Sequence, residues 1–419
     1  MPILLDRVAR RRAPAASQQP ACFSLVDFGS DSVKAVVVRR EKGGVRVLGY
    51  GCAPAEGYGL GGGRADLAVL AAITDRALTA AEDQAEANGH GKVVPDEGLF
   101  GIPAWLSRGE LFSVRQTRAD ASAPVAAREM KSAWERLERL ARERLPLLGD
   151  PGAAWKALAL TPGVTSLDGH QVSDPTGLKG RELGLSAFGV AVSPAAIGAA
   201  EAIARRLQVT LVNLVATPQA LASLVPQREA ILLDVGAQGT GLQLIHQDAL
   251  VAAAWWPQGG EHFTQGMARA FRCSSQEAEA LKRAYAQGVL SERDRDLVRR
   301  ALAEPVTLWL EALSARLRPM LAAQASPNPP DAPLHARRAE ALPGRMYLTG
   351  GGSLLPDLPQ ALTSLETSRS LSFRQALEIA PLGPRLGVRA VGRPVLFDVP
   401  PQPTSDLLAP ALGLATCLE

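Results

Sequence analysis

Cysteine is scarce: Cys22, Cys52, Cys273 and Cys417 are the only four in 419 residues, and no two form a C-x-x-C pair. That spacing offers neither a zinc site nor a disulfide framework, and a reducing cytoplasm is the expected compartment. Histidine is as sparse, and His90, His170, His246, His262 and His335 show no metal-ligand spacing. Excess charge is missing too. A formal net charge of +3 over this length gives no strongly basic face, which excludes nucleic acid as an expected partner. No apolar run reaches the length of a membrane span, and the N-terminus lacks a signal-peptide core. The remainder, 47% apolar and 21% charged, is ordinary for a globular chain long enough for two or more domains.

The first twenty residues differ from the rest. Ile3, Leu4, Leu5 and Val8 stand beside Arg7, Arg10, Arg11 and Arg12, followed by a Pro/Ala/Gln linker from Ala13 to Pro20. As a helix this segment would lay a small apolar face and a basic flank on an anionic membrane. Its shortness favours the other reading, a solvated flexible tail.

From Cys22 onward the periodicity alternates between strands and helices. Phe23–Asp27 and Val33–Arg39 are apolar, β-branched runs around a Gly/Ser/Asp turn and predict a hairpin, with Val45–Tyr50 as a third strand. Gly57–Gly63 reads as a flexible connection, Ala65–Ala87 as a long helix and Leu99–Ile102 as a short strand. Between about Trp105 and Ser193 a compact insert is expected. It has a strand at Leu111–Gln116, a helix at Ala123–Leu145 and strands at Ala154–Leu160 and Leu185–Val192. Beyond Pro194 come a helix (Ala195–Leu207), a strand (Thr210–Val215), a helix (Pro218–Leu224) and a second hairpin, Ile231–Asp234 with Leu242–His246. Thr264–Tyr285 and Ser291–Leu321 predict helices, and Ala325–Pro333 an exposed loop. Met346–Leu348 is a strand opening into Gly350–Gly352.

Two of these segments resemble each other. Leu25-Val26-Asp27-Phe28-Gly29 and Leu232-Leu233-Asp234-Val235-Gly236 each end an apolar strand in Asp-x-Gly, half a chain apart, which suggests a duplicated fold rather than a short tandem array. Such a hairpin aims backbone N–H groups at a phosphate, and its glycine permits close approach. An Asp at the strand end suits hydrated Mg²⁺, a hard cation that takes carboxylate and water oxygens. Lys34, on the returning strand, reaches a terminal phosphate as a point charge, and Thr240 offers a hydroxyl near the same place. A third piece, Leu348-Thr349-Gly350-Gly351-Gly352-Ser353-Leu354-Leu355-Pro356, lets a nucleotide lie against bare backbone. In a fourth, Gly259-Gly260-Glu261-His262-Phe263-Thr264 precedes Glu277-Ala278-Glu279 and Lys282. Glu279 and Lys282 at i and i+3 bracket a ribose and base, or form a solvated helical salt bridge.

In this order the motifs resemble the actin/sugar-kinase/DnaK-type ATPase superfamily, and within it most resemble the FtsA family of bacterial cell-division actins, from about Phe23 to Leu418. Asp168-Gly169 followed by Asp174-Pro175-Thr176-Gly177-Leu178-Lys179-Gly180-Arg181-Glu182-Leu183 is similar to the stretch closing the subdomain that sets FtsA apart from actin and MreB. The Gly57–Gly63 loop, Pro257–Thr264 and the terminal Ala409–Ala415 also look like that family. The resemblance implies an α/β, actin-like two-lobed fold of duplicated ribonuclease H-like halves with an FtsA-type inserted subdomain. It implies ATP and Mg²⁺ in the cleft, with Asp27 and Asp234 on the metal and Gly29, Ser30, Lys34, Gly236 and Thr240 on the phosphates. Gly260, Glu279, Lys282, Gly350, Gly351, Gly352 and Ser353 would hold the nucleoside side. The expected division is a flexible segment (1–20), a first lobe (21–104 and 194–230), an insert (105–193) and a second lobe (231–260), with a small subdomain (261–325) and a closing part (326–419).

The implied partners are further copies of the chain, FtsZ or other divisome proteins, and the inner face of the cytoplasmic membrane, the last through residues 1–12. FtsA chains usually carry a C-terminal amphipathic helix, and this sequence stops at Glu419 just past the last core helix. Two further departures bear on hydrolysis. The second phosphate motif reads Gly236-Ala237-Gln238-Gly239-Thr240-Gly241 where the family usually continues Gly-Gly-Gly-Thr-Thr-Asp. A carboxylate often found after the strand at Val212–Val215 is replaced near Thr217, so slow or absent ATP turnover is expected. Two alternatives stay open: a PilM-like scaffold of a type IV pilus machine, matching Gly29-Ser30-Asp31-Ser32-Val33-Lys34 and Asp234–Ala237, and an actin-fold small-molecule kinase, which needs an acidic base.

Overall fold

The structure is a computed structural model that describes residues 3–4, 21–55, 57–60, 62–63, 66–149, 155–325, 341–367, 371–383, 395–401 and 404–418. The expected basic segment falls outside these residues except for Ile3–Leu4, and the expected loop at Ala325–Pro333 except for Ala325.

The first lobe is built on β2 (Cys22–Phe28), β3 (Ser32–Glu41) and β4 (Gly44–Pro54), an antiparallel meander. β7 (Glu97–Ile102) lies parallel to β2, and β12 (Thr210–Ala216) lies parallel to β7. With β18 (Val395–Phe397) beside β4, the sheet order is β12-β7-β2-β3-β4-β18. Strands covered on both faces read as near-continuous apolar runs, and β2 is buried from Phe23 to Phe28. Between β4 and β7 lie a short pair, β5 (Tyr58–Gly59) and β6 (Gly62–Gly63), and helix α1 (Leu67–Ala85). Asp66 starts α1 by accepting the N–H groups of Ala68 and Val69 at 2.8 and 3.2 Å. Its apolar stripe, Leu70, Ile73, Ala77, Ala81 and Ala85, covers the meander.

The second lobe repeats this plan. β13 (Ala230–Val235), β14 (Thr240–His246) and β15 (Ala249–Trp256) form a meander. β16 (Arg345–Thr349) is parallel to β13, and β17 (Glu378–Pro381) is parallel to β16. The order β4-β3-β2-β7 in one lobe is thus matched by β15-β14-β13-β16 in the other. This is the duplication that the paired Asp-x-Gly hairpins imply.

The insert is a separate sheet, β8 (Ser107–Thr117), β11 (Glu182–Val192) and β9 (Lys156–Leu167) in that order. Two short strands, β1 (Ile3–Leu4) and β10 (His170–Gln171), pair with β9. Helix α2 (Ala127–Arg144) packs Ala133, Leu137 and Ala141 on this sheet against Phe112, Leu160 and Leu183. The Asp168…Arg181 stretch is a latch. Asp168 Oδ1 accepts the N–H groups of Arg181 and Glu182 at 2.8 and 2.7 Å. The nearly buried Arg118 donates to Glu129 and to the carbonyls of Ala123 and Gly180.

Helix α3 (Pro194–Arg206) returns the chain to the first lobe, and α4 (Thr217–Leu224) packs across α9 (Thr404–Leu414) where the lobes join. The region expected as one helix over Thr264–Tyr285 is two, α5 (Gly260–Phe271) and α6 (Ser275–Ala286). Arg272 adopts a left-handed conformation, and Ser274 with Glu277 forms a capping box that restarts the helix. The long α7 (Glu292–Ala325) buries Val298, Leu302, Trp309, Leu313 and Leu317 along one stripe. Helix α8 (Asp357–Thr363) packs on α7. No helix among the described residues is long and apolar enough to cross a membrane.

Candidate functional site

Ligands of open α/β sheets gather at the carboxyl ends of the parallel strands. Here those ends face each other across the two lobes. Asp27, next to last in β2, lies opposite Gly101 of β7, and Asp234, next to last in β13, lies opposite Thr349 of β16. Lys34 comes back along β3 as the register partner of Asp27, and its ammonium lies 3.3 Å from Asp27 Oδ2. Burial works to lower the Lys34 pKa, but the field of Asp27, with those of Cys52 and Asp234, outweighs it and the pKa is raised. Asp234 is pushed up to about 6, first by burial and then by the charge of Asp27, with Lys34 only partly offsetting. Two carboxylates facing one ammonium leave an uncompensated negative charge, the electrostatic setting in which a divalent cation binds.

The two glycine turns close on this centre. Gly29 lies against the Lys34 ammonium, where an added Cβ would stand 2.6 Å from Nζ. Ser30 Oγ accepts the N–H of Gln238 at 3.2 Å, so the first turn touches the second directly. Arg283 adds a second bridge, 3.5 Å from Asp31. Gly236 N–H donates to Gly239 O at 2.9 Å and closes the second turn. Trp255 of β15 lies flat enough on Gly239 that any side chain there would meet the indole, and Trp105, entering the insert, tilts against Trp255 at 6.3 Å.

Asp27, Gly29, Ser30, Lys34, Asp234, Gly236 and Gly350 are thus brought together. Other expected contacts are engaged within the protein. Thr240 is fully buried, donating to Gln258 O at 2.6 Å and accepting from Trp309 Nε1 at 2.9 Å, which directs its hydroxyl away from the cleft. Lys282 spends all three donors, on Gly260 O, Thr264 Oγ1 and Glu279 Oε2 at 2.9, 2.7 and 2.6 Å. Burial pushes the Glu279 carboxyl up, but hydrogen bonds from Lys282, Thr264 and Arg283 override it and hold the pKa at about 2. Gly260 gives its N–H to Gly236 O at 2.8 Å, and the Ser353 hydroxyl donates to Gly350 O at 2.6 Å. Gly351 and Gly352 form a tight turn behind Gly350.

One further residue borders the site. Thr217, the first residue of α4, is 5% exposed and its hydroxyl has no hydrogen-bond partner. It flanks a small polar space with Asp27. A Cβ placed on Gly101 would stand 3.3 Å from Thr217 Oγ1 and 3.6 Å from Asp27 Oδ1. A buried unpaired hydroxyl costs about 1–3 kcal/mol, and a water of a hydrated Mg²⁺ would satisfy it. No cluster of three or more metal-ligating side chains exists among the described residues. Two carboxylates with waters and phosphate oxygens nevertheless suit Mg²⁺, which keeps several waters. Thr217→Val is therefore expected to stabilise the ligand-free protein by about 1 kcal/mol and to weaken Mg²⁺-dependent nucleotide binding. Thermal melts paired with titrations check both halves, and a destabilised variant with unchanged affinity would contradict the assignment.

Near the lobe junction, Asp406 of α9 accepts from the Thr349 hydroxyl at 2.7 Å through its backbone oxygen. Its own carboxyl is buried with Oδ1 unpartnered, and burial pushes it up to about 6.

No family model matches the chain. It is 24% identical over 349 residues to the cell division protein FtsA of Streptococcus pneumoniae, a match covering 80% of this chain and 72% of that protein. It is 25% identical over 306 residues to the FtsA of Agrobacterium fabrum, covering 69% of this chain and 65% of that protein, just under two thirds of its length. Among solved structures, the chain is similar to one in the PilM–PilN type IV pilus biogenesis complex. The TM-score is 0.60 at 20% identity, covering 95% of this chain and 98% of that one. The fold is the actin-like two-lobed α/β fold, and the sequence resembles FtsA with PilM as the second likeness.

Proposed function

We propose that this protein is an actin-like, ATP-binding assembly protein of the cell-division type, in which the nucleotide sets the lobe arrangement and turnover is slow or absent. The observation that carries the reading is the convergence of Asp27, Lys34 and Asp234 between two glycine turns, at the carboxyl ends of parallel strands from both lobes. Asp27 and Asp234 would hold Mg²⁺ through its waters. Lys34 would meet a terminal phosphate, and the N–H groups around Gly29 and Gly236 would line the phosphate path. Mg²⁺ would draw the negative charge of the phosphates into a site that is itself anionic.

A nucleotide spanning both turns would replace the direct Ser30–Gln238 bond and favour one closure of the cleft. Protomers held in that closure would stack head to tail. Slow hydrolysis is supported by the neutral Thr217 beside Asp27, since a hydroxyl is a poor general base. The same point disfavours a small-molecule kinase. By resemblance, FtsZ or another divisome protein is the proposed partner. The outer face of α7, where Thr307, Leu310, Glu311, Ser314 and Arg318 line a concavity of about 490 Å³, is the surface proposed for it. The likeness of fold to PilM over nearly the whole chain supports a second reading, a type IV pilus scaffold that binds a PilN-type partner.

Equilibrium titration with a fluorescent ATP analogue and Mg²⁺ tests the first half. Saturable, Mg²⁺-dependent binding is expected, and none by a folded protein would leave a nucleotide-free scaffold. Co-sedimentation of the ATP-loaded protein with FtsZ, against a PilN-type protein, then decides between the partner sets.

A further inference from the structure

The second phosphate turn has no sequence motif behind it that explains how it is held, and its support comes from far along the chain. Trp309 lies in α7, fully buried, with its ring against Trp256 and Phe263 at centroid distances of 6.3 Å. A buried indole N–H usually takes an acceptor. Trp309 Nε1 finds one in Thr240 Oγ1 at 2.9 Å, the residue directly after the turn Gly236–Gly239. The Thr240 hydroxyl in turn donates to Gln258 O at 2.6 Å, directly before Gly259 and Gly260. Those two segments are already stitched together, since Gly260 N–H and Glu261 N–H donate to Gly236 O and Ala237 O, each at 2.8 Å. A single indole therefore underlies both glycine segments facing the cleft.

We propose that Trp309 is a positioning residue for the nucleotide site, fixing the second phosphate turn and the start of α5 through the Thr240 hydroxyl. This rests on the nucleotide-binding reading of the cleft. The arrangement is specific to the N–H: phenylalanine at this position keeps a ring against Trp256 and Phe263 but cannot donate. The neighbouring Trp256 shows the contrast, because its Nε1 is buried without a partner. Placing the acceptor at Thr240 and the donor on α7 also ties the turn to the longest helix among the described residues. A shift of α7 along its axis would pull directly on the turn.

The test compares wild type with Trp309→Phe, Thr240→Val, the double variant and Thr240→Ser. It uses two readouts on the full chain: hydrogen–deuterium exchange of residues 236–241 without nucleotide, and affinity for fluorescent ATP with Mg²⁺. Faster exchange of that turn beyond the change elsewhere in the protein is expected for Trp309→Phe and Thr240→Val, together with about two- to tenfold weaker nucleotide binding. The double variant is expected to be no weaker than Thr240→Val alone, and Thr240→Ser, which keeps the acceptor, to retain protection and affinity. Unchanged exchange in a folded Trp309→Phe, or additive losses in the double variant, overturns the proposal while leaving the nucleotide reading intact. Faster exchange in a protein that binds no nucleotide even as wild type overturns the nucleotide reading and with it the positioning role. If Trp309→Phe does not fold, Thr240→Val against Thr240→Ser decides the same question.

Discussion

Asp234→Asn is expected to weaken Mg²⁺-dependent ATP binding by about 100-fold, the ~3 kcal/mol that removing one partner of a desolvated charge contact typically costs. The same change is expected to stabilise the ligand-free protein at neutral pH. Asp234 has its pKa raised from 3.8 to about 6 by burial and by the charge of Asp27, so the folded state holds its proton more tightly than the unfolded chain. The associated stability is fully present below the unfolded value of 3.8 and is lost as pH rises through about 6. Above that pH the penalty is about 3 kcal/mol, and asparagine does not carry it. Thermal melts from pH 4 to pH 8 should show the variant gaining over wild type as pH rises and converging with it in acid. Asp406, also pushed up to about 6, keeps a residual slope of the same sign in both proteins. Mg²⁺·ATP should narrow the neutral-pH gap, because wild type, the tighter binder, gains more from the ligand. A variant that binds Mg²⁺·ATP like wild type would remove Asp234 from the site. The gain in stability alone could not rescue the assignment.

That prediction rests on residues legible from the chain, and the reason they were legible is geometric. An Asp-x-Gly after an apolar strand fixes where a carboxylate goes, because strand length and the glycine turn leave it one place. Its recurrence at Asp27 and Asp234 exposes the duplication that the two sheets display. Two of the expected contacts are different. Thr240 and Lys282 stand at the expected distances along the chain, yet a β-strand turns alternate side chains to opposite faces. The face taken by Thr240 is decided by Trp309, 69 residues away. Lys282 is decided by the carbonyl of Gly260 and the hydroxyl of Thr264, which only the bend between α5 and α6 brings to it. That bend depends on Arg272 taking a left-handed conformation that periodicity passes over. Strand β15, with Trp255 over the phosphate turn, is not marked by periodicity because Ala249–Trp256 is an unbroken apolar run, and its turn, Gln247–Asp248, holds no glycine. Thr217 is the subtlest: the sequence marks it as a missing carboxylate, and only the bare Cα of Gly101 shows the space it borders.

Three consecutive glycines looked equivalent in the sequence, and the structure separates them into an experiment. Gly350→Ala is expected to cost about 3–5 kcal/mol, from a backbone conformation open essentially only to glycine and from overpacking. Gly350 has φ 84° and ψ 161°. Its Cβ would stand 2.6 Å from both Asp234 Oδ1 and Val235 O. The carboxylate can swing aside only by leaving the metal site, and the carbonyl belongs to the central strand of the second lobe. Loss of fold and loss of nucleotide should therefore appear together. Gly351→Ala meets only Leu407 Cδ2, at 3.7 Å, in a turn any residue can adopt. Its melting temperature should match wild type, a change within about 0.5 kcal/mol. Paired melts decide the matter. A large effect at Gly351 with a small one at Gly350 would mean the strand β16 enters its turn in another register. The Asp234 carboxylate would then not face the cleft as described. The predicted order, severe at Gly350 and mild at Gly351, ties the glycine run to the metal carboxylate rather than to loop flexibility.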